Sequence, residues 1–235
     1  MSLPLAIIGH GKMGRLVEQL APQHGFHVAA RFTSANIAAL SAASLSGALT
    51  AIDFSAPAAA PENLRRLAAL GVRAVSGTTG WYDDLPQVRA AFESSGSALV
   101  YGPNFSVGVN LFFQIVADAA AVLAKHPEFE AWGWEIHHSA KKDAPSGTLK
   151  KLAEEIRSAG YSAPMSLAAN RAGSHTGIHE VGFDSPSDTI TLRHSARSRE
   201  AYAHGALQAA RWLQGKKGVF EFREILPQLG ATNTS

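Results

Sequence analysis

The 235-residue chain contains no cysteine, which excludes disulfide bonds, thiolate nucleophiles and cysteine-bound metal centres. Charged residues make up only 17% of the sequence, and the formal net charge is +2. The basic residues form scattered pairs, with no long run and no interleaved aromatic residues, so nucleic-acid binding is not expected. The apolar fraction of 46% is ordinary for a globular protein with a packed core.

Long uninterrupted apolar runs are also missing. The most apolar long stretch, residues 107–124, is interrupted by Asn110, Gln114 and Asp118, a pattern that does not suit a membrane-spanning helix. The first residues enter a strand pattern without a preceding basic region, as expected of a chain that has no signal peptide. We therefore expect a soluble cytoplasmic protein that binds neither a membrane nor a nucleic acid.

A glycine-rich turn follows the first predicted strand, the short apolar run of residues 3–8. The turn has the pattern G-x-G-x-x-G and consists of Gly9, His10, Gly11, Lys12, Met13 and Gly14. A helical stripe of apolar residues comes next and stops at Pro22. Between a strand and a helix, this pattern binds the pyrophosphate of a dinucleotide. The alternative is a glycine turn kept for steric reasons alone.

The second predicted strand, residues 26–30, ends without an acidic residue. A site for NAD usually has Asp or Glu there to bind the ribose hydroxyls. This chain has Arg31, followed by the hydroxyl side chains of Thr33 and Ser34. A guanidinium suits a 2′-phosphate, with Lys12 as a second cation, so we expect NADPH as the cofactor, with NADH as an alternative. A solvent-exposed arginine without this function is the rival interpretation.

Strand and helix patterns alternate as far as residue 106, which predicts an α/β fold with a doubly wound, Rossmann-type parallel sheet. Ligands of such sheets bind at the carboxyl ends of the strands. Glycines and small hydroxyls there would let a flat nicotinamide ring approach the backbone. The residues at these ends are Phe54, Gly77, Thr78, Thr79, Gly102, Pro103, Asn104 and Phe105.

The pattern changes after the long helical stretch that begins at residue 107. Four strand patterns follow with a single helix among them, which predicts a smaller α+β domain with a mixed or antiparallel sheet. Helical periodicity resumes at Ser198, and residues 219–222 predict one more strand.

The densest group of titratable residues lies between Glu135 and Thr148, in the segment E-I-H-H-S-A-K-K-D-A-P-S-G-T. Alternation over residues 131–136 predicts a strand with Glu135 and His137 on one face. The segment then enters a helical pattern, and the free N–H groups of a helix start bind anions. Such features are common singly on solvated loops and caps. Together they predict a site that donates a proton and binds a carboxylate.

Four segments together resemble the 4-hydroxy-tetrahydrodipicolinate (dihydrodipicolinate) reductase family. They are G-H-G-K-M-G-R, S-G-T-T-G from Ser76, P-N-F-S-V-G-V-N from Pro103, and the segment from Glu135 to Thr148. The histidine–lysine segment is specific to the family, whereas many dehydrogenases share the glycine pattern. The resemblance implies hydride transfer from a reduced nicotinamide to a cyclic imine dicarboxylate, giving tetrahydrodipicolinate, in the diaminopimelate route to lysine.

The resemblance also implies a domain organisation and an assembly. Residues 1–106 and 199–235 would form the dinucleotide-binding domain. Residues 107–198 would form a domain for substrate binding and oligomerisation, and the protein would be a homotetramer. The chain lacks the acidic residue that some members have after the second strand, which argues against equal use of both cofactors.

Individual roles follow from the same resemblance. His137 is similar to the family's catalytic proton donor, and Lys141 is similar to its partner. The residues implied in substrate binding are His138, Ser146, Gly147 and Thr148. Gly77 to Thr79, Gly102 to Phe105 and Arg199 are implied in cofactor binding.

Three rival interpretations stay open. A related Rossmann reductase for another imino or keto dicarboxylate would not need two histidines and a lysine at this spacing. A regulatory module that binds nicotinamide without turnover would not need a proton donor. A metal protein is suggested by the ten histidines. They are scattered, however, and the adjacent His137 and His138 point apart on a strand, so we expect no metal site.

Overall fold

The computed structural model describes residues 1–229. Its strands are β1 (Leu3–Ile8), β2 (Phe26–Phe32), β3 (Thr50–Asp53), β4 (Arg73–Ser76), β5 (Ala98–Tyr101), β6 (Glu130–His137), β7 (Ser166–Arg171), β8 (Ile178–Asp184), β9 (Thr189–Ser195) and β10 (Gly218–Glu221). Its helices are α1 (Lys12–Leu20), α2 (Ala60–Ala69), α3 (Leu85–Ser95), α4 (Val107–Leu123), α5 (Gly147–Ser158), α6 (Glu200–Trp212) and α7 (Phe222–Leu229). None of the helices within residues 1–229 is long and apolar enough to cross a membrane.

The chain divides into two units. The first unit combines Met1–Val107 with the part of the chain from Glu200 onward, and the second unit is Gly108–Arg199. Each junction lies one residue from the position expected from the sequence. Both chain ends therefore contribute to the first unit, and the second unit is a single continuous stretch.

The first unit is built on a fully parallel six-stranded sheet in the order β10-β5-β4-β3-β1-β2. Alternate side chains of each strand enter different cores. Ile7 and Ile52 join a core with α1, α6 and α7, whereas Ala6 and Ile8 join a core with α2 and α3. Burial on both faces explains why the strands are apolar almost throughout. The predicted Rossmann-type sheet is confirmed.

Strand β2 is longer than the sequence pattern indicated. Phe32 pairs with Ile8 and is buried, so pairing continues two residues past the predicted end at Ala30. Arg31 consequently lies within the strand and not after it. Its side chain is still partly exposed, because neighbouring residues of a strand point to opposite faces.

The second unit contains a four-stranded sheet in the order β7-β6-β8-β9. Strands β6 and β7 are parallel, and the other two pairs are antiparallel, so the predicted mixed sheet is confirmed. One face packs on α4 and α5 through a core that includes Phe113, Leu152 and Phe183. The alternation predicted for β6 places Glu135 and His137 on the buried side, with Trp134 on the other.

Candidate active site

The glycine turn lies at the carboxyl end of β1, where close backbone contacts leave no room for side chains. Gly9 has a φ of +88°, and a Cβ added there would lie 2.3 Å from the carbonyl oxygen of Phe54. A Cβ added at Gly14 would lie 2.2 Å from the carbonyl oxygen of Gly9. These two glycines are therefore required by packing between the turn, β3 and α1.

Gly11 differs from its neighbours because an added Cβ would meet nothing within 4 Å. It is the N-cap of α1, and no side chain caps the first N–H groups of the helix. The exposed Lys12 follows, while Met13 packs partly into the core. An uncapped helix start with room beside it suits a pyrophosphate.

A cavity of about 400 Å³ opens beside this turn. It is lined by Gly9, His10 and Gly11, by residues that follow β2, and by Phe54 with the start of α2. The size is that of a small-molecule site, and most of the lining is apolar, as an adenosine group requires. The residues present therefore fit the phosphate and adenosine parts of a dinucleotide.

Arg31, the cation expected to meet a 2′-phosphate, is paired with Glu18 of α1. The Nε of Arg31 lies 2.8 Å from Oε1 of Glu18, and Nη2 donates to the same oxygen. Nε2 of His10 lies 2.5 Å from Oε2. The hydrogen bond from Arg31 and that from His10 lower the pKa of Glu18 to about 2. Sequence reasoning missed Glu18, because it searched for an acid only after β2.

Behind the ends of β3 and β4 lies a buried carboxylate that sequence reasoning also missed. Oδ2 of Asp53 accepts hydrogen bonds from Ser76 at 3.1 Å and from Thr78 at 2.8 Å. Burial raises the pKa of Asp53 above its usual value, although these hydrogen bonds oppose the rise. Thr78 also accepts from the backbone N–H of Ser55 at 2.9 Å, so its side chain ties two strand ends together.

The other residues expected at these strand ends have different environments. A Cβ added to Gly77 would meet the ring of Phe54 at 2.1 Å, so this glycine lets the ring lie against the backbone. Thr79 and Pro103 are exposed. Gly102 is buried beside Phe222.

Phe105, Asn104 and Arg199 are the remaining residues that were predicted to bind the cofactor. Phe105 is a core side chain that stacks on Phe222 with 4.5 Å between ring centres, so only its backbone is available to a ligand. Asn104 accepts from the N–H of Ser106 at 2.8 Å. Arg199 is exposed and belongs to the second unit, not to the first as expected.

Strand β6 of the second unit carries a carboxylate that is completely buried. Oε1 of Glu135 accepts from the backbone N–H of Ser146 and from Nη2 of Arg171, both at 2.8 Å. Oε2 accepts from the Ser146 hydroxyl and lies 3.2 Å from Nε2 of His179. Burial alone would raise the pKa of Glu135, but the hydrogen bonds from His179, Ser146 and Arg171 outweigh it and hold the pKa well below its usual value. Glu135 is therefore ionised.

His137 lies next to this carboxylate and is 8% exposed. Its Nδ1 is 3.6 Å from Oε2 of Glu135, which is beyond hydrogen-bond distance, and has no partner within residues 1–229. Its ring meets the ring of His179 edge to face at 5.0 Å. Burial lowers the pKa of His137 to about 4 against the opposing charge of Glu135. Without a ligand, the imidazole is neutral at pH 7.

His179 and Arg171 complete the cluster, and the sequence interpretation assigned neither of them a role. β8 pairs His179 with Glu135, and β7 pairs Arg171 with His137. The alternation of His179, Val181 and Phe183 along β8 was the signal that would have identified a buried histidine.

The cluster has the spacing of a metal centre, because ligand atoms of Glu135, His137 and His179 lie within 4.8 Å of one another. Sequence reasoning rejected a metal on the adjacent pair His137–His138 and did not consider His179. Arg171 and Ser146 already occupy both oxygens of Glu135, and a guanidinium at 2.8 Å disfavours a cation. The arrangement is therefore that of a hydrogen-bond network.

The loop after β6 carries Lys141, whose side chain is partly exposed. Nζ of Lys141 pairs with Asp143 at 2.7 Å, and this contact lowers the pKa of the aspartate. Lys142 is exposed. The backbone N–H of His138 donates to the carbonyl of His175 at 2.8 Å, while its side chain is partly exposed.

Helix α5 begins directly beside Glu135. Ser146 is its N-cap and accepts from the N–H of Leu149 at 3.2 Å, so the serine hydroxyl and its N–H are engaged within the protein. Gly147 is exposed, and an added Cβ would meet nothing within 4 Å. With the groups of Ser146 engaged, the N–H groups at this helix start that suit an anion are those of Gly147 and Thr148.

A parallel sheet with an open glycine turn, combined in one chain with a buried histidine near a helix start, is the combination expected of a pyridine-nucleotide-dependent reductase. Two family models match the chain: Dihydrodipicolinate reductase, N-terminus, over residues 3–105, and Dihydrodipicolinate reductase, C-terminus, over residues 108–226. The chain belongs to the dihydrodipicolinate reductase family. It is thus an oxidoreductase of the diaminopimelate route to lysine.

Named relatives agree with the family. The 4-hydroxy-tetrahydrodipicolinate reductase of Christiangramia forsetii is 32% identical, over 96% of this chain and 98% of the relative. The reductase of the same name from Archaeoglobus fulgidus is 35% identical, over 92% and 96%. The dipicolinate-bound dihydrodipicolinate reductase from Paenisporosarcina sp. TG-14 shares the fold, with a TM-score of 0.79 at 21% identity over 96% and 100% of the two chains.

Proposed function

We propose that the chain reduces 4-hydroxy-tetrahydrodipicolinate to tetrahydrodipicolinate and prefers NADPH as the cofactor. The relatives that are 32% and 35% identical carry the name of this activity. The observation that supports it in the structure is the buried carboxylate of Glu135, which accepts a hydrogen bond from Ser146 at the start of α5 and lies 3.6 Å from Nδ1 of His137. Binding of a dicarboxylate requires fixed hydrogen-bond donors, and its reduction requires a proton source nearby.

The reaction consumes one hydride and one proton, and the 4-hydroxyl group leaves as water. The reduced nicotinamide, when bound, supplies the hydride. Hydride addition to a ring carbon of the conjugated imine builds negative charge on the nitrogen or on an adjacent carbon. A protonated group nearby neutralises that charge.

His137 is the proposed source of this proton. Its pKa of about 4 keeps the free imidazole neutral, since burial disfavours the charged form. Two negative carboxylates beside the ring favour the imidazolium, because an opposite charge raises the pKa of a histidine. Substrate binding thus charges the donor, and the charge of Lys141 supports the same carboxylates.

The substrate carboxylate binds, in this proposal, to the N–H groups of Gly147 and Thr148 and to the Thr148 hydroxyl, with His138 and Lys141 as further donors. Ser146 holds the helix start through Glu135 and does not contact the ligand with its hydroxyl. This assignment modifies the expectation that Ser146 binds the substrate directly, because its donors are already used.

NADPH should be oxidised with a kcat/KM at least about tenfold above that for NADH, because charge-assisted contacts to a phosphate contribute roughly 1.5–3 kcal/mol. Freshly made product of dihydrodipicolinate synthase is the substrate, and loss of reduced nicotinamide is followed by absorbance. Arg31→Ala should remove most of the preference by lowering kcat/KM for NADPH. Arg65→Ala, which alters an exposed arginine of α2, is the matched control and should leave the ratio unchanged.

The assay tests the cofactor assignment and the proposed reaction separately. Equal use of both cofactors by the wild type, or an unchanged ratio in Arg31→Ala, contradicts the cofactor assignment alone. No turnover with either cofactor contradicts the proposed reaction.

Thr148→Val should weaken binding of pyridine-2,6-dicarboxylate by about 10–100-fold, because a hydrogen bond to a charged group contributes roughly 1.5–3 kcal/mol. Calorimetric titration of the purified protein measures the dissociation constant. Thr191→Val replaces an exposed threonine of β9 and should have no effect. An unchanged dissociation constant in Thr148→Val, or a complex with both carboxylates far from Gly147, contradicts this placement.

Assembly through the second sheet is the remaining part of the proposal. The face of β6 opposite Glu135 carries Trp132 and Trp134, which are only partly buried. Aromatic residues of this kind are typical of interfaces between copies. A homotetramer formed through this face stays a prediction.

A further inference from the structure

We propose that Glu18 sets the cofactor specificity of the nucleotide site by competing with the 2′-phosphate of the cofactor for the guanidinium of Arg31. This inference rests on the proposed function, because it takes Arg31 as the cation that meets the phosphate.

One carboxylate connects two parts of the nucleotide site. Glu18 lies on α1, seven residues after its N-cap Gly11, and its side chain is 30% exposed. Oε1 accepts from Nε and Nη2 of Arg31, and Oε2 contacts Nε2 of His10 in the glycine turn. The edge of the guanidinium formed by Nε and Nη2 is therefore occupied by a carboxylate.

The donors of Thr33 and Asn36, next to Arg31, are engaged within the protein. Oδ1 of Asn36 accepts from the backbone N–H of Thr33 at 2.6 Å and from its hydroxyl at 3.2 Å. Nδ2 of Asn36 donates to the carbonyl of Arg31 at 3.1 Å. The charged donor for a 2′-phosphate at this strand end is thus Arg31, which is shared with Glu18, and the exposed Ser34 lies beside it at the cavity.

Charge balance gives the direction of the effect. Glu18 and Arg31 together carry no net charge, so the pair attracts a phosphate less than a free guanidinium does. Glu18 stays ionised at every working pH, since Arg31 and His10 hold its pKa at about 2. The phosphate must displace Glu18 from the guanidinium, and an exposed ion pair is weak, so the competition lowers the affinity by about two- to fivefold.

The test compares 2′,5′-ADP with 5′-AMP, which differ only in the 2′-phosphate. Dissociation constants are measured by calorimetry for the wild type, Glu18→Gln, Arg31→Ala and the double variant, without any turnover. Glu18→Gln should bind 2′,5′-ADP about two- to fivefold more tightly and 5′-AMP unchanged. In the Arg31→Ala background the same substitution should have little effect. Glu93→Gln, which removes the acid of an exposed pair with Arg89, is the control and should change neither constant.

Three results would overturn the inference. Weaker binding of 2′,5′-ADP by Glu18→Gln would mean that the carboxylate orients Arg31 for the phosphate. If Glu18→Gln tightened binding of 2′,5′-ADP equally in the wild type and in the Arg31→Ala background, Glu18 would simply repel the phosphate and would not act through the guanidinium. No weakening in Arg31→Ala would remove the cation from the phosphate site and would contradict the cofactor assignment as well. The proposed reduction is unaffected by any of these results, because it is measured separately by turnover.

Discussion

Replacement of His137 by glutamine is expected to lower kcat by about 10²–10⁴-fold while the dissociation constant for NADPH stays near the wild-type value. Losing a general acid typically has this effect on rate, and a loss confined to kcat marks an interaction made in the transition state. Steady-state kinetics and a separate NADPH titration measure the two quantities. A change in substrate KM alone would show that His137 binds the substrate without transferring a proton.

The neighbouring lysines provide a matched comparison. Lys141→Ala should also lower kcat strongly, because Lys141 is proposed to hold beside His137 the substrate carboxylates that charge the imidazole. The charge of Lys141 by itself lowers the pKa of His137, so this effect acts only through the bound substrate. Lys142→Ala should change kcat little, since Lys142 is exposed. If Lys142 proves the more sensitive lysine, the assigned roles are wrong.

The second large effect concerns stability. Glu135→Ala should lower the free energy of unfolding of the second unit by about 3–5 kcal/mol, because it leaves a largely buried guanidinium without its carboxylate and removes the partner of Ser146. Urea unfolding is followed by tryptophan fluorescence in a Trp81→Phe, Trp212→Phe background, in which only Trp132 and Trp134 of the second unit remain. The difference from wild type should shrink as the pH falls below about 4.5. A carboxylate with a depressed pKa stabilises the fold above its unfolded pKa and loses that contribution as it is protonated.

Glu180→Ala is the control for this measurement. Glu180 lies on the same sheet and pairs with Arg193 at 3.2 Å, but the arginine side chain is 53% exposed. Removal of such a surface pair should change the free energy of unfolding by less than about 1 kcal/mol. Equal effects of the two substitutions would show that burial does not strengthen the Glu135 network.

Local periodicity was sufficient to predict much of the fold and part of the site. A period of two placed Glu135 and His137 on one face of β6, because successive strand residues point to opposite sides. The glycine turn was predicted from its position between an apolar strand and a helix. The strand alternation and the glycine turn each depend only on residues close together in the chain, so a single sequence is enough to predict them.

The contacts made over long distances in sequence were not predictable in the same way. His179 follows Glu135 by 44 residues and meets it only because of the register between β6 and β8. Arg171 arrives through the pairing of β6 with β7. Glu18 reaches Arg31 from a different element, and nothing in the residues around Arg31 indicates it. Register and helix placement depend on packing, so these partners required the structure.

The split organisation of the chain has a consequence for its synthesis. β10 pairs with β5 at one edge of the first sheet, and α6 supplies Ala203, Ala206 and Leu207 to its core. These segments leave the ribosome after the second unit, which is continuous and is complete once Arg199 has emerged. Since domains fold as units during synthesis, we expect the histidine cluster to form before the nucleotide site is complete.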